Sequence, residues 1–315
     1  NASSIRSCLL KARANAKSAR TMLTQDMWEA LNEGWRKLDS YDVGEARQQL
    51  PALIDWVKTR VMTFRGAAHS GQLRNEGHDF LRCGSALERA QMTLRLLDVK
   101  YYVLLPETEV IGGNRDHYQW TSVLYALSGA RAYHHVYGGT YTPWQITDFL
   151  MLNRLFPRSV AYCYDQLAYR LNRLAGWHDA KGPCHDTVKD MVAGLESQDS
   201  GEIFRQGLHE TVQHGLMVTN RLGAEIAHGA RRDAHIHADH VFQEFVDDAF
   251  VRIFADRDLQ AFGKNVGGHA AQGTADIDPM GHAAGEGDQL AVFEYGHGKS
   301  YVVKMAAGGV GIVGD

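Results

Sequence analysis

The stretch FLRCGSALERAQMTLRLLDVKYYVLL (80–105) decides the fold class of this chain. Leu87, Leu94 and Leu97 recur in it at helical spacing, which predicts a helix with one face in the core. A second line of polar side chains steps through the same helix, formed by Glu88, Gln91, Arg95 and Asp98. A buried charge without a partner costs several kcal/mol, so these side chains are expected to meet a neighbouring helix.

The helical pattern continues from residue 3 to about residue 258 with short polar connections, and alternation typical of strands is nearly absent. An all-α helical bundle is therefore the predicted fold. The predicted helices are 3–22, 25–39, 44–66, 78–105, 117–137, 143–152, 158–175, 184–197, 202–230 and 239–256. Thr142 followed by Pro143 is typical of a helix start, with an N-cap and then proline at the first helical position.

The composition is that of an ordinary soluble protein, with 44% hydrophobic and 22% charged residues. A formal net charge of −4 and dispersed basic residues argue against a nucleic-acid partner. No apolar run approaches the roughly 20 residues of a membrane helix. The four cysteines lie far apart in helical patterns, which favours buried free thiols and a cytoplasmic location. No cofactor is expected.

The chain changes character after the helical region. We expect a helical domain over 1–258 and a tail over 259–315 that begins as a Gly-rich linker. In QLAVFEYGHGKSYVVKMAA (289–307), two apolar or alternating runs flank Gly296-His297-Gly298, a pattern that predicts a β-hairpin.

An internal pseudo-repeat is suggested by placing residues 1–16 over 156–171. Ser4 then meets Ser159 and Cys8 meets Cys163, at the start of a helix in both copies. The second copy follows the 80–105 helix, whereas the first copy has no such companion. We expect the first half of the repeat to be incomplete, with its missing helix upstream of Asn1.

Several motifs resemble the bacterial alpha-E family, an all-helical domain named for a Glu-Arg motif. They include ALERAQMTLRLLDV (86–99), GARAYHHVYGGTYTPWQITDFLMLNRLFPRSVAYC (129–163) and IFRQGLHETVQHGLMVTNRLGAEI (203–226). The resemblance covers about 1–232. It implies two Glu-Arg helices, of which the first would precede the NASSI segment at the start of this chain.

The resemblance also implies a functional context. Members of this family look like companions of ATP-grasp-type ligases and transglutaminase-like proteins in bacterial gene neighbourhoods. The resemblance therefore implies that this chain is a helical partner or scaffold, which binds a peptide or protein substrate for an amide-bond-forming system. Two alternatives stay open. One is an enzyme with Glu88 as acid or base and Arg95 as an electrostatic clamp. The other is a structural module that forms a homo-oligomer.

The polar line on the 80–105 helix has three interpretations: a buried ion-pair network that fixes helix register, a pocket for a peptide or carboxylate ligand, and a solvated face. Asp98 follows Arg95 at an ion-pair spacing, whereas Arg89 points about a quarter turn away. His209 and Glu210 are candidate partners for this polar line.

The start of the 158–175 helix could bind an anion. Arg158-Ser159 lies there and could either cap the helix or bind an anion.

Two histidine-rich motifs resemble metal sites. HETVQH (209–214) lacks zinc-protease spacing, because its histidines are five residues apart. HIHADH (235–240) matches the H-x-H-x-D-H string of the metallo-β-lactamase fold, but a polar helical pattern precedes it. Two other interpretations of HIHADH are opportunistic binding of Zn or Ni and a solvated, His-rich helix start. The candidate metal ligands in it are His235, His237, Asp239 and His240.

Overall fold

A computed structural model describes residues 5–41, 44, 48–103, 114–233, 289–295, 299–306 and 309–314 of the chain. Its first 233 residues are helical wherever they are described as regular structure, which confirms the all-α prediction. The helices are α1 (Ile5–Ser18), α2 (Gln25–Ser40), α3 (Leu50–Gly71), α4 (Glu76–Val103), α5 (Asn114–Ala126), α6 (Ala130–Tyr137), α7 (Pro143–Met151), α8 (Val160–His178), α9 (Pro183–Ser197), α10 (Ser200–Gln206) and α11 (Leu208–Asp233). A short 3-10 helix, Arg20–Met22, follows α1. The helix predicted over 239–256 lies outside the described residues.

The helices build two hydrophobic clusters. The first cluster is formed by α1, α2 and α3, with Cys8, Met27 and Phe64 nearly inaccessible to solvent. The second begins at α4 and runs to α11, around residues such as Leu94 and Tyr164. Apolar side chains at helical spacing produce both clusters, because their burial removes apolar surface from water.

The leucine-rich stretch 80–105 lies largely in α4, at the centre of the larger cluster. The helices that pack most extensively along α4 are α8 and α11. Leu87, Leu94 and Leu97 are all buried there, as their spacing predicts. Because α4 has helices on more than one side, it can bury polar as well as apolar side chains, provided that the polar ones find partners.

Helix starts follow the predicted capping chemistry. The hydroxyl of Thr142 accepts a hydrogen bond from the Gln145 N–H, and Pro143 occupies the first turn of α7. Thr24 caps α2 in the same way, by accepting from the Met27 N–H. All four cysteines are buried free thiols, as predicted.

Two predicted helices are each divided in the structure. The 117–137 prediction is wrong at Ser128 and Gly129, which separate α5 from α6. Ser128 adopts a φ of 54°, and a Cβ on Gly129 would lie 2.9 Å from Phe156 Cζ. The 202–230 prediction is wrong at Gly207, where a φ of 101° ends α10 before α11 begins. Both breaks depend on left-handed backbone, which hydrophobic periodicity does not report.

Replacing Gly207 by alanine is expected to destabilise the helical domain by about 1–3 kcal/mol, since alanine is strained at this φ. Chemical denaturation followed by circular dichroism measures the change. Gly194→Ala is the matched control, because Gly194 lies inside α9 and a Cβ added there would project into open space. The control should gain about 0.5–1 kcal/mol of stability. Equal effects of the two changes would contradict the backbone explanation.

Three strands are described in the tail: β1 (Gln289–Tyr295), β2 (Lys299–Ala306) and β3 (Gly309–Gly314). β1 pairs with β2 in an antiparallel register that brings Tyr295 opposite Lys299. This pair corresponds to the expected hairpin. β3 adds a third antiparallel strand beside β2, which the sequence pattern did not predict.

Among the described residues, none of the helices is both long and apolar enough to cross a membrane.

Candidate functional site

A cleft with a volume of about 450 Å³ lies between α4 and α8 and reaches the end of α3. Five arginines contribute to its wall: Arg74, Arg82, Arg89, Arg170 and Arg173. The described residues that line it include neither Asp nor Glu. The cleft is therefore a concave, cationic surface, in contrast to the net negative charge of the whole chain.

Helix geometry explains why these side chains converge. Arg82 and Arg89 lie seven residues apart on α4, which is about two turns, so both project from the same face. Arg170 and Arg173 are three residues apart on α8 and also share a face. Because α4 and α8 pack along each other, the two arginine faces meet across the cleft.

A buried carboxylate anchors the α8 arginines from behind the cleft. The side chain of Asp79 is completely buried on α4. Its Oδ1 accepts from Arg170 Nη1 at 3.0 Å, and its Oδ2 accepts from Arg173 Nε at 2.9 Å. The hydrogen bond to Asp79 and its negative charge raise the pKa of Arg173. Asp79 therefore orients two guanidiniums but supplies one negative charge.

His78 lies within hydrogen-bonding distance of two more arginines. Its Nε2 lies 2.5 Å from Arg74 Nη1 and 3.3 Å from Arg82 Nε. A guanidinium is only a donor, so Nε2 must be the bare nitrogen and the ring proton must be on Nδ1. That Nδ1 lies 3.7 Å from Asp79 Oδ1.

The imidazole of His78 is neutral at neutral pH. Burial, followed by the positive charges of Arg74, Arg82 and Arg170, lowers its pKa to about 4, and Asp79 opposes this shift only in part. His78 therefore accepts hydrogen bonds from Arg74 and Arg82 without cancelling either charge.

The arginines of the cleft act on one another. Burial and then the charges of Arg170, Arg74 and Arg89 lower the pKa of Arg82. A lowered guanidinium pKa means that the protein environment disfavours the cation. An anion placed in the cleft would relieve this unfavourable energy.

The predicted residue Glu88 lies beside the cleft rather than in it. Its side chain is 3% exposed and lines a smaller pocket of about 60 Å³ between α3 and α4. Arg65 of α3 lines the same pocket, and burial lowers the pKa of Arg65 to about 10 while the charge of Glu88 opposes that shift. The cleft and the pocket share Arg82, Ser85 and Arg89, so they adjoin along α4.

Arg158 and Ser159 lie at the start of α8, close to Glu88. Ser159 is fully buried; its hydroxyl accepts from the Tyr162 N–H at 3.1 Å and donates to the Asn153 carbonyl. The capping interpretation of Ser159 is therefore the one that the structure supports. Glu88 and Arg158 both act electrostatically on Arg65 and on Cys163, which brings the Glu-Arg segment and the α8 start into one neighbourhood.

The rest of the polar line faces α11. Gln91 Nε2 donates to Asn220 Oδ1 at 2.6 Å, and Asp98 Oδ1 lies 3.0 Å from His209 Nδ1. Gln213 Nε2 also donates to Asp98, at 2.9 Å. The expected partnership between the polar line and His209 is thus present.

The two other candidates near this polar line are less buried. Glu210, the neighbour of His209, is exposed. Arg95 is half-buried, and Asp98, three residues further along α4, meets His209 and Gln213 of α11.

Cys163 lines the cleft as well, but its thiol is poorly suited to nucleophilic chemistry. The thiol is buried, and burial raises its pKa to about 12. A thiol with this pKa is protonated at neutral pH and is a weak nucleophile.

Most of the residues that form the arginine wall or support it from behind were not predicted from the sequence: Arg74, His78, Asp79, Arg82, Arg170 and Arg173. Their spacing gave a partial indication, since Arg82 and Arg89 repeat after two turns and Arg170 and Arg173 after one. Asp79 and His78 are adjacent in sequence and look like solvated residues near a helix start. Only the packing of α8 on α4 reveals that Asp79 is buried between two guanidiniums.

The metal-ligand candidates His235, His237, Asp239 and His240 lie outside the described residues. Within the described residues, no group of three or more His, Cys, Asp or Glu side chains is arranged to hold a metal ion.

The family model for alpha-E, described as a predicted alpha-helical domain with a conserved ER motif, matches residues 1–229. Glu88-Arg89 is the single Glu-Arg dipeptide in the sequence, and it lies on α4 where the cleft and the smaller pocket adjoin. Neither a curated protein nor a solved structure matches the chain.

Proposed function

The chain belongs to the alpha-E family, and from that premise we propose that its helical domain binds an anionic group of a peptide and presents that peptide to an ATP-grasp-type, amide-bond-forming ligase. The arginine-lined cleft is the observation that carries the proposal. It offers five guanidiniums and, among its described lining residues, no carboxylate. Arginine suits this task because its planar fork can bind an oxyanion with two parallel hydrogen bonds.

Glu88 and Arg89 take different roles in this proposal. Arg89 contributes to the cleft wall and contacts the ligand, whereas Glu88 is buried behind it and faces the neighbourhood of Arg65 and Arg158. A buried carboxylate among arginines offsets part of their repulsion, so Glu88 is a positioning residue. The choice of a ligase as partner is part of the proposal and is supported by the family resemblance.

The cleft favours binding and presentation over catalysis. The Cys163 thiol is protonated at neutral pH, and His78 already accepts hydrogen bonds from Arg74 and Arg82. The cleft wall contains Arg89, but Glu88, Arg95 and Asp98 lie elsewhere, so the residues proposed for an enzyme do not converge in it.

A ligation assay tests the proposal. Ligases captured from a bacterial lysate with this protein are supplied with ATP and acidic peptides, and amide-bond formation is followed by mass spectrometry. We expect the protein to accelerate ligation at low peptide concentration. Arg89→Met should raise the apparent KM for the peptide by about tenfold, because one charge-assisted hydrogen-bonding group is lost.

The matched control is Arg36→Met, since Arg36 is exposed on α2 and outside the cleft. This variant should behave like the unaltered protein. Capture without any ATP-dependent ligase, or identical kinetics for the Arg89 and Arg36 variants, would refute the proposal.

A further inference from the structure

We infer that the group bound in the arginine cleft is a phosphate carried on a peptide, rather than a single carboxylate. The inference rests on the proposed function, since it names the class of anion for the same cleft. It is carried by three features: two arginines that share one neutral acceptor, a buried carboxylate that is already engaged, and the length of the cleft.

The shared acceptor is His78. Arg74 and Arg82 both reach its Nε2, so their guanidiniums are held side by side. The neutral imidazole satisfies one donor of each group and leaves both positive charges in place. A guanidinium has five N–H donors. Arg74 uses three of them, on His78 and on the carbonyls of Ala68 and His69, which fixes its position at the end of α3 and leaves two for a further acceptor. Arg82 uses its Nε–H on His78, so its two terminal NH2 groups can face a ligand.

The engaged carboxylate is Asp79. It has one negative charge and accepts from both Arg170 and Arg173, so the α8 side of the cleft keeps an excess of positive charge. The Nε of Arg170 is buried and has no hydrogen-bond partner among the described residues. A buried donor without an acceptor is costly in a folded protein, so an anion oxygen that reached this Nε would gain a favourable hydrogen bond.

The charge of the ligand follows from this arrangement. A carboxylate has two oxygens and one negative charge, which would match one of the two arginines at His78. A phosphomonoester has about 1.5 to 2 negative charges at pH 7 and three acceptor oxygens, so it can bridge neighbouring forks. The phosphate therefore matches the arginine pair better in both charge and number of hydrogen bonds.

The cleft extends beyond the size of one phosphate. Arg89 lies seven residues beyond Arg82 on α4, about 10 Å along the helix axis. The volume of about 450 Å³ far exceeds the roughly 10–15 Å³ that suffices for one water molecule. Tyr162 and Gln166 of α8 line the cleft along with the arginines. This leaves room for a short segment of peptide whose phosphate lies at the Arg74–Arg82 end.

Fluorescence anisotropy tests the inference with a labelled phosphoserine peptide and the same peptide with glutamate in place of phosphoserine. We expect the phosphopeptide to bind at least about tenfold more tightly, because it gains charge and one acceptor oxygen. Inorganic phosphate is the third probe, added as a competitor, and should displace the phosphopeptide only at far higher concentration. Arg82→Met should weaken phosphopeptide binding by about tenfold or more, while Arg36→Met should not.

A second variant distinguishes a loss of binding from a loss of folding. Arg82→Lys keeps the positive charge but not the planar fork, and it should also weaken binding of the phosphopeptide if its thermal melt is unchanged. If Arg82→Met unfolds, Arg74→Met provides the same comparison, because it removes the other guanidinium that meets His78 at the proposed phosphate end.

The outcomes separate the two proposals. Equal affinity for the phosphoserine and glutamate peptides would overturn the phosphate inference and leave the proposed peptide-binding function intact. Equal potency of inorganic phosphate and phosphopeptide would overturn the peptide as the source of the phosphate. Failure of both peptides to bind would overturn both proposals.

Discussion

Asp79→Asn is expected to destabilise the helical domain by about 3 kcal/mol, the lower end of the cost of breaking a buried ion pair. Asparagine keeps the shape of the side chain but removes the negative charge that lies between Arg170 and Arg173. The two guanidiniums would then face each other near His78 without their counterion. The lower end of the range applies because Arg173 is partly exposed and water can screen its charge.

Urea denaturation of the two proteins measures this change directly. Asp39→Asn is the matched control, because Asp39 pairs with Arg6 in a largely exposed ion pair and should change stability by less than about 1 kcal/mol. Added pyrophosphate should restore more stability to the Asp79→Asn protein than to the control, since it supplies negative charge to the cleft. If Asp79→Asn proved as mild as the control, the buried carboxylate would have no role in holding the arginines.

Acidification is expected to remove on the order of 3 kcal/mol of stability through His78 alone. Its folded-state pKa of about 4 is lower than the ordinary value of 6.5, because it is buried beside Arg74, Arg82 and Arg170. The unfolded chain therefore takes up the proton first. The contribution is fully present above pH 6.5 and is lost as the pH falls through 4.

The difference between the unaltered protein and His78→Gln isolates this contribution. The Gln carbonyl oxygen can take the place of Nε2 as acceptor for the arginines, and Gln does not titrate. All other ionisable groups are common to both proteins and cancel in the difference between their pH profiles. A difference that stays constant from pH 7 to pH 4 would show that His78 does not titrate below its ordinary range.

The sequence predicted the helical architecture well because hydrophobic periodicity is local. The spacing of Leu87, Leu94 and Leu97 in α4 reports which face is buried, whatever the fold around it. The breaks at Ser128 and Gly207 were missed because they depend on left-handed backbone, which periodicity does not encode. Capping was predictable at Thr142 and Ser159, where one side chain and the next few residues determine the geometry.

The candidate site was less predictable because its composition depends on two helices far apart in sequence. The sequence indicated that Glu88 and Asp98 needed partners, and the structure places Glu88 near Arg65 and Asp98 beside His209. It gave no means of knowing that Arg82 faces Arg170, since 88 positions along the chain separate them. The packing of α8 on α4 is tertiary information, and it makes an arginine-lined cleft from residues that look solvated in sequence.

Arg89 contributes to two cavities that different parts of the molecule complete, the cleft against α8 and the small pocket against α3. Arg89 is thus common to the proposed ligand site and to a pocket that lies between the two hydrophobic clusters. Thermodynamic reciprocity gives this arrangement a consequence. If ligand binding at Arg89 alters how firmly α3 packs beside α4, then the position of α3 must alter ligand affinity by the same free energy.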